Sequence, residues 1–251
     1  AVNVEGDFTH LAGVTGPSTF SAAVTAGSLV LQADSFVFGG DVLGNGGVAI
    51  TGTTGSISST ANISAAGALA ASAAANIVLQ GATSAHSAAI TAVGTVTIGL
   101  GGVSTIGSPR AGDVTISTTG LVAGNSVTLN GGVNVKGEFA INAARGVLAT
   151  NTINAGAMSA NGTALTFNSL IMTAGAATYN TSGLLNLAAG LEADGAFTVG
   201  SANAVTLGDT VSAASASITA VSTINIAVGG LTSTNGGISL TTTAAGSGNS
   251  I

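Results

Sequence analysis

Pairs of apolar residues separated by one small or polar residue recur along the whole chain. One column of them runs through Leu29/Leu31, Val48/Ile50, Val114/Ile116, Val133/Val135, Phe197/Val199 and Ile238/Leu240. A second passes through Phe36/Phe38, Ile57, Ile77/Leu79, Val96/Ile98, Phe139/Ile141, Leu165/Phe167, Leu185/Leu187, Val205/Leu207 and Ile224/Ile226. A third, weaker column follows Val42, Ile63, Val103, Val127/Leu129, Val147, Leu170/Met172, Leu191, Val211 and Leu231. Alternation with period two marks a strand with one buried face. Rows aligned on the first column start at Asp7, Gly27, Gly47, Gly67, Ser87, Gly112, Gly132, Ala157, Ala177, Ala196, Ala216 and Gly236, mostly twenty residues apart.

Three short strands every twenty residues, with Gly, Asn, Ser or Ala between them, make one coil of a solenoid. An antiparallel sandwich or barrel also places turns every 8 to 12 residues, but has no reason to keep a twenty-residue register for twelve rows. The pattern therefore predicts an all-β fold: a single parallel β-helix over 1–251, either a whole rod or a piece of a longer solenoid, with about twelve coils of three strands each. The hand expected from parallel crossover connections is right. At about 4.8 Å per stacked strand, twelve coils give a rod of roughly 55–60 Å.

Thr115, Asn134, Ser159, Thr178, Thr198, Thr219 and Ser239 fall in one outward column, one residue wide. Two five-residue excesses are expected to protrude as loops, one at Ser108, Pro109 and Arg110 and one at Asn151 to Asn154. The alanine-rich run Ala65 to Ala75 reads as a further strand-and-corner row, with a short helix as the alternative, since alanine favours helices over strands.

Composition agrees with a narrow, tightly turning coil. Glycine is 39 of 251 residues and only 5% of the chain is charged. Mean hydropathy is +0.65, too high for a disordered chain. Three basic residues, Arg110, Lys136 and Arg145, cannot neutralise a nucleic-acid backbone or form a polybasic membrane patch. The most apolar window, Ala65 to Leu79, is interrupted by Gly67, Ser72 and Asn76, so no membrane insertion is expected. With no cysteine, disulfides and thiolate metal sites are absent.

Chemistry-bearing residues are few. The nine acids, Glu5, Asp7, Asp34, Asp41, Asp113, Glu138, Glu192, Asp194 and Asp209, scatter over the rows. Glu192 and Asp194 are close, on what reads as a Gly-flanked turn, where they suit a weak calcium site, an acid/base couple or a solvated loop. Gly39, Gly40 and Asp41 match part of a calcium-binding nonapeptide that does not recur in tandem. His10 and His86 lack a second ligand at metal spacing. These readings predict no catalytic residues, no metal and no cofactor. A threonine-rich outer face also suits an ice- or surface-binding solenoid, although the outward column mixes Ser and Asn with Thr. A β-helical polysaccharide-degrading enzyme is the weakest reading, for want of clustered carboxylates.

The rows Gly112 to Ser117 (GDVTIS), Ala123 to Val135 (AGNSVTLNGGVNV) and Ala204 to Gly208 (AVTLG) resemble the repeat region of filamentous-haemagglutinin-like adhesins and autotransporter passengers of Gram-negative bacteria. The resemblance implies an exported right-handed β-helix used as a surface stalk or adhesin; it transfers no binding residue. The expected function is thus a non-enzymatic extracellular or cell-surface rod, an adhesin stalk or fibre subunit. Its expected partner is a second copy of itself, stacked end to end. Val2, Val4 and Phe8 at one end and Ile238 and Leu240 at the other are the candidate stacking residues, because an uncapped coil leaves backbone groups and apolar side chains unpaired.

Overall fold

A computed structural model describes residues 1–11, 16–107 and 112–244. Every regular element in it is a strand, and all strand pairs are parallel. The strands stack into three ladders, here called a, b and c in chain order within a coil.

Ladder a joins Val2, Val24, Val42, Ile63, Thr83, Val103, Val133, Ile153, Ile171, Leu191, Val211 and Leu231, one from each of twelve coils. Ladder b joins Phe8, Leu29, Val48, Leu69, Ala88, Val114, Phe139, Met158, Ala177, Phe197, Ala216 and Ile238. Ladder c has eleven strands, from Pro17–Phe20 to Thr223–Ile226, and forms a sheet of its own. Ladders a and b are counted as one sheet because several strands run through the corner between them. Ile63–Ala73, Val133–Asn142 and Leu191–Ser201 each do so, with a register shift at Ala65/Ala68, Val135/Glu138 and Ala193/Ala196. A bulge inserts one unpaired residue and bends the strand, which is how this corner is turned without leaving β-structure.

The interior is a continuous column of Val, Ile, Leu and Phe, with alanine where ladder a enters the corner, as at Ala65, Ala85, Ala155, Ala193 and Ala213. The alanine-rich run is accordingly strand, not helix: Ile63–Ala73 alternates buried and exposed positions on both sides of its bulge. Near the first coils Phe20, Phe36 and Phe38 stack, with Phe36 and Phe38 5.4 Å apart and 5° from parallel.

Farther along, Tyr179 is fully buried between Phe167 and Phe197, each edge-on at 5.6 and 5.9 Å. Among the described residues its hydroxyl reaches only the Met158 thioether sulfur, at 3.5 Å, and burial pushes its phenol above the ordinary tyrosine range. The shift is upward, so its contribution to stability is full below the unfolded value near pH 10 and is lost as pH rises beyond it. Tyr179 is the chain's one tyrosine. Unfolding free energy should therefore fall by up to about 1.4 kcal/mol per pH unit above pH 10, and Tyr179→Phe should remove that slope. Denaturant titrations of both chains between pH 8 and 11 check this; an unchanged slope in the variant would locate the titration elsewhere.

The register corrects the row alignment at several points. Val133/Val135 lie in ladder a, and Phe139/Ile141 are the pair that stacks on Val114/Ile116 in ladder b. Val127/Leu129 and Val147 belong to ladder c, following Val96/Ile98. In the same ladder-a row it is Ile171, between Leu170 and Met172, that points inward. The b-ladder row thus begins at Gly137, not Gly132.

The second excess consequently lies between Val114 of ladder b and Val127 of ladder c, thirteen residues where Phe139 to Val147 takes eight. Asn151 to Asn154 form an ordinary corner in which Ile153 is buried in ladder a, and they do not protrude. The first excess, at Ser108, Pro109 and Arg110, lies outside the described residues. In the outward column, Ala140 takes the place assigned to Asn134 and Ser217 that assigned to Thr219.

Candidate functional site

The stacking candidates are placed at opposite ends of the ladders. Val2, Val4 and Phe8 pack against the core from the first coil, partly buried, and their amides donate to Ala23, Thr25 and Ser28 of the second. Ile238 is 46% exposed and Leu240 partly buried in the last b strand. Among the described residues, the strands at Val2–Asn3, Phe8–Leu11, Leu231–Ser233 and Ile238–Thr242 are each paired on one side only.

His10 faces inward in the first coil. It lies edge-on to Phe20 at 5.5 Å and is hydrogen-bonded to the Ser18 hydroxyl at 2.9 Å. It closes the aromatic stack, a role hidden in the sequence because histidine there occupies an apolar register. His86 lies elsewhere, beside Gly107. Among the described residues no three His, Cys, Asp or Glu side chains converge as a metal site, and no helix is long and apolar enough to cross a membrane.

Four of the nine acids, Asp34, Asp41, Asp113 and Glu138, tie one coil to the next. Asp41 accepts from the Asn62 amide at 3.0 Å, and Asp113 from the Glu138 amide at 2.7 Å. Glu138 in turn accepts from the Ser159 hydroxyl at 2.6 Å. Asn62 and Asn76 do the same for the amides of Ala82 and Thr95. The sequence signal was available: each partner lies about one coil away, at a corner where a backbone amide would otherwise go unmet.

Glu192 and Asp194 are different. They lie not on a turn but on the strand Leu191–Ser201, two residues apart on the outer side of ladder a, both exposed. They border a depression of about 260 Å³ with Asn154, Met172, Thr173 and Ala174. A neighbouring depression of about 420 Å³ shares Asn154 and Met172 and continues past Asn134 and Ser104. Together these make a shallow groove along the outside of ladder a, lined by amides, hydroxyls, one thioether and two carboxylates. The groove can accept and donate hydrogen bonds, but among the described residues it brings no cation to the two acids.

Face b carries a second outward column that the row alignment missed: Ser117, Asn142, Asn161, Asn180, Thr219 and Thr241 stand beside Thr115, Ala140, Ser159, Thr178, Ser217 and Ser239. In these six coils the array is two residues wide; it is interrupted at the coil of Thr198, where the register shifts and Asn180 pairs with Ser201. Its asparagines bond to one another, Asn161 Nδ2 donating to Asn142 Oδ1 at 2.9 Å and Asn180 Nδ2 to Asn161 Oδ1 at 3.1 Å. Such a ladder satisfies amides between coils instead of presenting them outward.

Of the two cations within the described residues, Lys136 Nζ donates to the Gly107 carbonyl at 2.9 Å, whereas Arg145 has an Nε that is closed to solvent and unpaired. The molecule is a β-solenoid repeat protein by its own geometry. No family model, curated protein or solved structure was found to match the chain.

Proposed function

We propose that the chain is a non-enzymatic structural rod of the extracellular space or cell surface, an adhesin stalk or fibre subunit. The observation that supports this reading is the continuous stacking of three parallel ladders around one apolar column, from Val2 to Leu231 in ladder a. Such a column resists bending and displays its outer faces at fixed spacing, which serves a spacer or scaffold. Four of the nine acids are bonded to neighbouring coils, and among the described residues Glu192 and Asp194 have no basic companion in their groove. The similarity of rows such as Gly112 to Ser117 to haemagglutinin-type repeats favours the adhesin-stalk version.

End-to-end growth is part of the proposal. One-sided pairing of the terminal strands leaves N–H and C=O groups that a second copy could extend, with Val2, Val4 and Phe8 meeting Ile238 and Leu240. Light scattering and electron microscopy of the purified chain should show filaments. The double change Ile238→Lys and Leu240→Lys should leave short, folded rods about 55–60 Å long. A stable monomer at high concentration, or full-length filaments from the double variant, would remove end stacking and leave the stalk reading alone. The two-column face b favours a second reading, attachment to a regular surface such as ice, which thermal hysteresis with ice shaping would reveal.

A further inference from the structure

The coil that departs most from the repeat within the described residues carries a cleft that the repeat does not require. Its extra residues follow Val114–Thr118, where Gly120 donates to the Val93 carbonyl at 2.6 Å and Gly124 takes a left-handed φ of 76°. Between this loop and the following coils lies a space of about 410 Å³ lined by Leu121, Val122, Ala123, Gly124, Arg145 and Thr163. Its size is that of a small-molecule site. Among the described residues Arg145 is the one charged side chain in the lining, and no carboxylate joins it.

The backbone of the arginine is held firmly. Its amide donates to the Ser126 hydroxyl at 3.1 Å, and its carbonyl accepts from the Thr163 amide at 3.0 Å. Ser126 is fully buried and accepts from Thr118 Oγ1 at 2.8 Å, while the Ala144 amide donates to that same Thr118 oxygen at 3.0 Å. On this fixed base the guanidinium has no hydrogen-bond partner among the described residues. Nε is shut off from solvent, so the terminal Nη donors are the edge a ligand can reach. A guanidinium desolvated on its Nε side, with outward Nη donors that meet no acceptor among the described residues, favours an anionic acceptor from outside the chain. Beside it, Leu121 is 76% exposed.

We propose that this cleft binds a small carboxylate with a branched aliphatic flank. The carboxylate accepts from the planar Nη fork of Arg145, the flank covers Leu121 and Val122, and Thr163 offers a hydroxyl donor. This site is independent of the rod function and stands or falls separately.

The test is an NMR titration of the full chain with 4-methylpentanoate, following the Leu121 methyls and the Arg145 side chain. Saturable shifts are expected. The uncharged 4-methylpentanamide should bind at least about tenfold more weakly, as should the acid to Arg145→Lys, which keeps the charge but removes the fork. Acetate and the Leu121→Ser variant should each show a loss of about threefold or more. Thermal melting establishes that the variants are folded, and the acid–amide comparison on the unmodified chain decides the matter even where a variant is not. No saturable shift at tens of millimolar acid, equal binding of acid and amide, or undiminished binding to a folded Arg145→Lys would overturn the proposal. Inorganic phosphate binding as tightly as the acid would overturn it too, marking a general anion site.

Discussion

Replacing Ile116 with aspartate is expected to abolish or nearly abolish folding of the central coils, whereas Thr115→Asp should cost no more than about 1 kcal/mol. The two positions are neighbours on the strand Val114–Thr118, but Ile116 is 0% exposed and stacks between Ile90 and Ile141, while Thr115 faces outward. An aspartate in the column would have no cation or donor to pair with, and an unpaired buried charge costs several kcal/mol even after it takes up a proton. Chemical denaturation followed by circular dichroism measures the difference. Equal losses at the two positions would mean that the strand is turned over, since a one-residue slip exchanges the faces.

Gly102→Ala should also be severely destabilising, by about 3 kcal/mol or more, against about 1–2 kcal/mol for Gly124→Ala. Both glycines have left-handed φ values, 71° and 76°, so the intrinsic backbone penalty is the same for each. They differ in surroundings. A Cβ on Gly102 would lie 2.2 Å from the carbonyl oxygen of Gly132 in the next coil, while one on Gly124 meets no atom within 4 Å. The Gly132 carbonyl also accepts from the Val103 amide, so moving it aside breaks a coil-to-coil hydrogen bond. Melting temperatures of the two alanine variants give the comparison directly. Similar losses would show that conformational strain, not the close approach of coils, governs these corners.

These two expectations draw on what was and was not legible in the residues. Inward and outward positions could be read because alternation separates them: Ile116 and Thr115 could be assigned without coordinates. Which face a strand belongs to could not be read as safely. Val133/Val135 and Phe139/Ile141 are both apolar pairs around a polar or small residue, and all three ladders accept the same types, so nothing local distinguishes them. Once five residues were inserted after Thr118, the row slipped by one strand and recovered only at Ala157.

The site residues divide along the same line. That the acids scatter was visible; that Asp41 and Asp113 accept from the coil above required the vertical neighbour, which alternation along a strand does not name. His10 was hidden because its inward register and the Phe20 ring beside it come from stacking. Arg145 was one of three basic residues, and only the packing of the inserted loop set it apart.

The even spacing of the ladders has a kinetic side as well. Ile153 pairs with Ile171, Leu191 with Val211 and Val211 with Leu231, each eighteen to twenty residues apart, and nearly every strand finds its partner at a similar distance along the chain. The entropy of closing a loop depends on that distance, not on total length, so each new coil faces about the same entropic barrier as the one before. Assembly can then advance as a growth front, each finished coil serving as template for the next. A longer chain of this kind would take more steps but not harder ones, and it could order from whichever end first becomes free to fold.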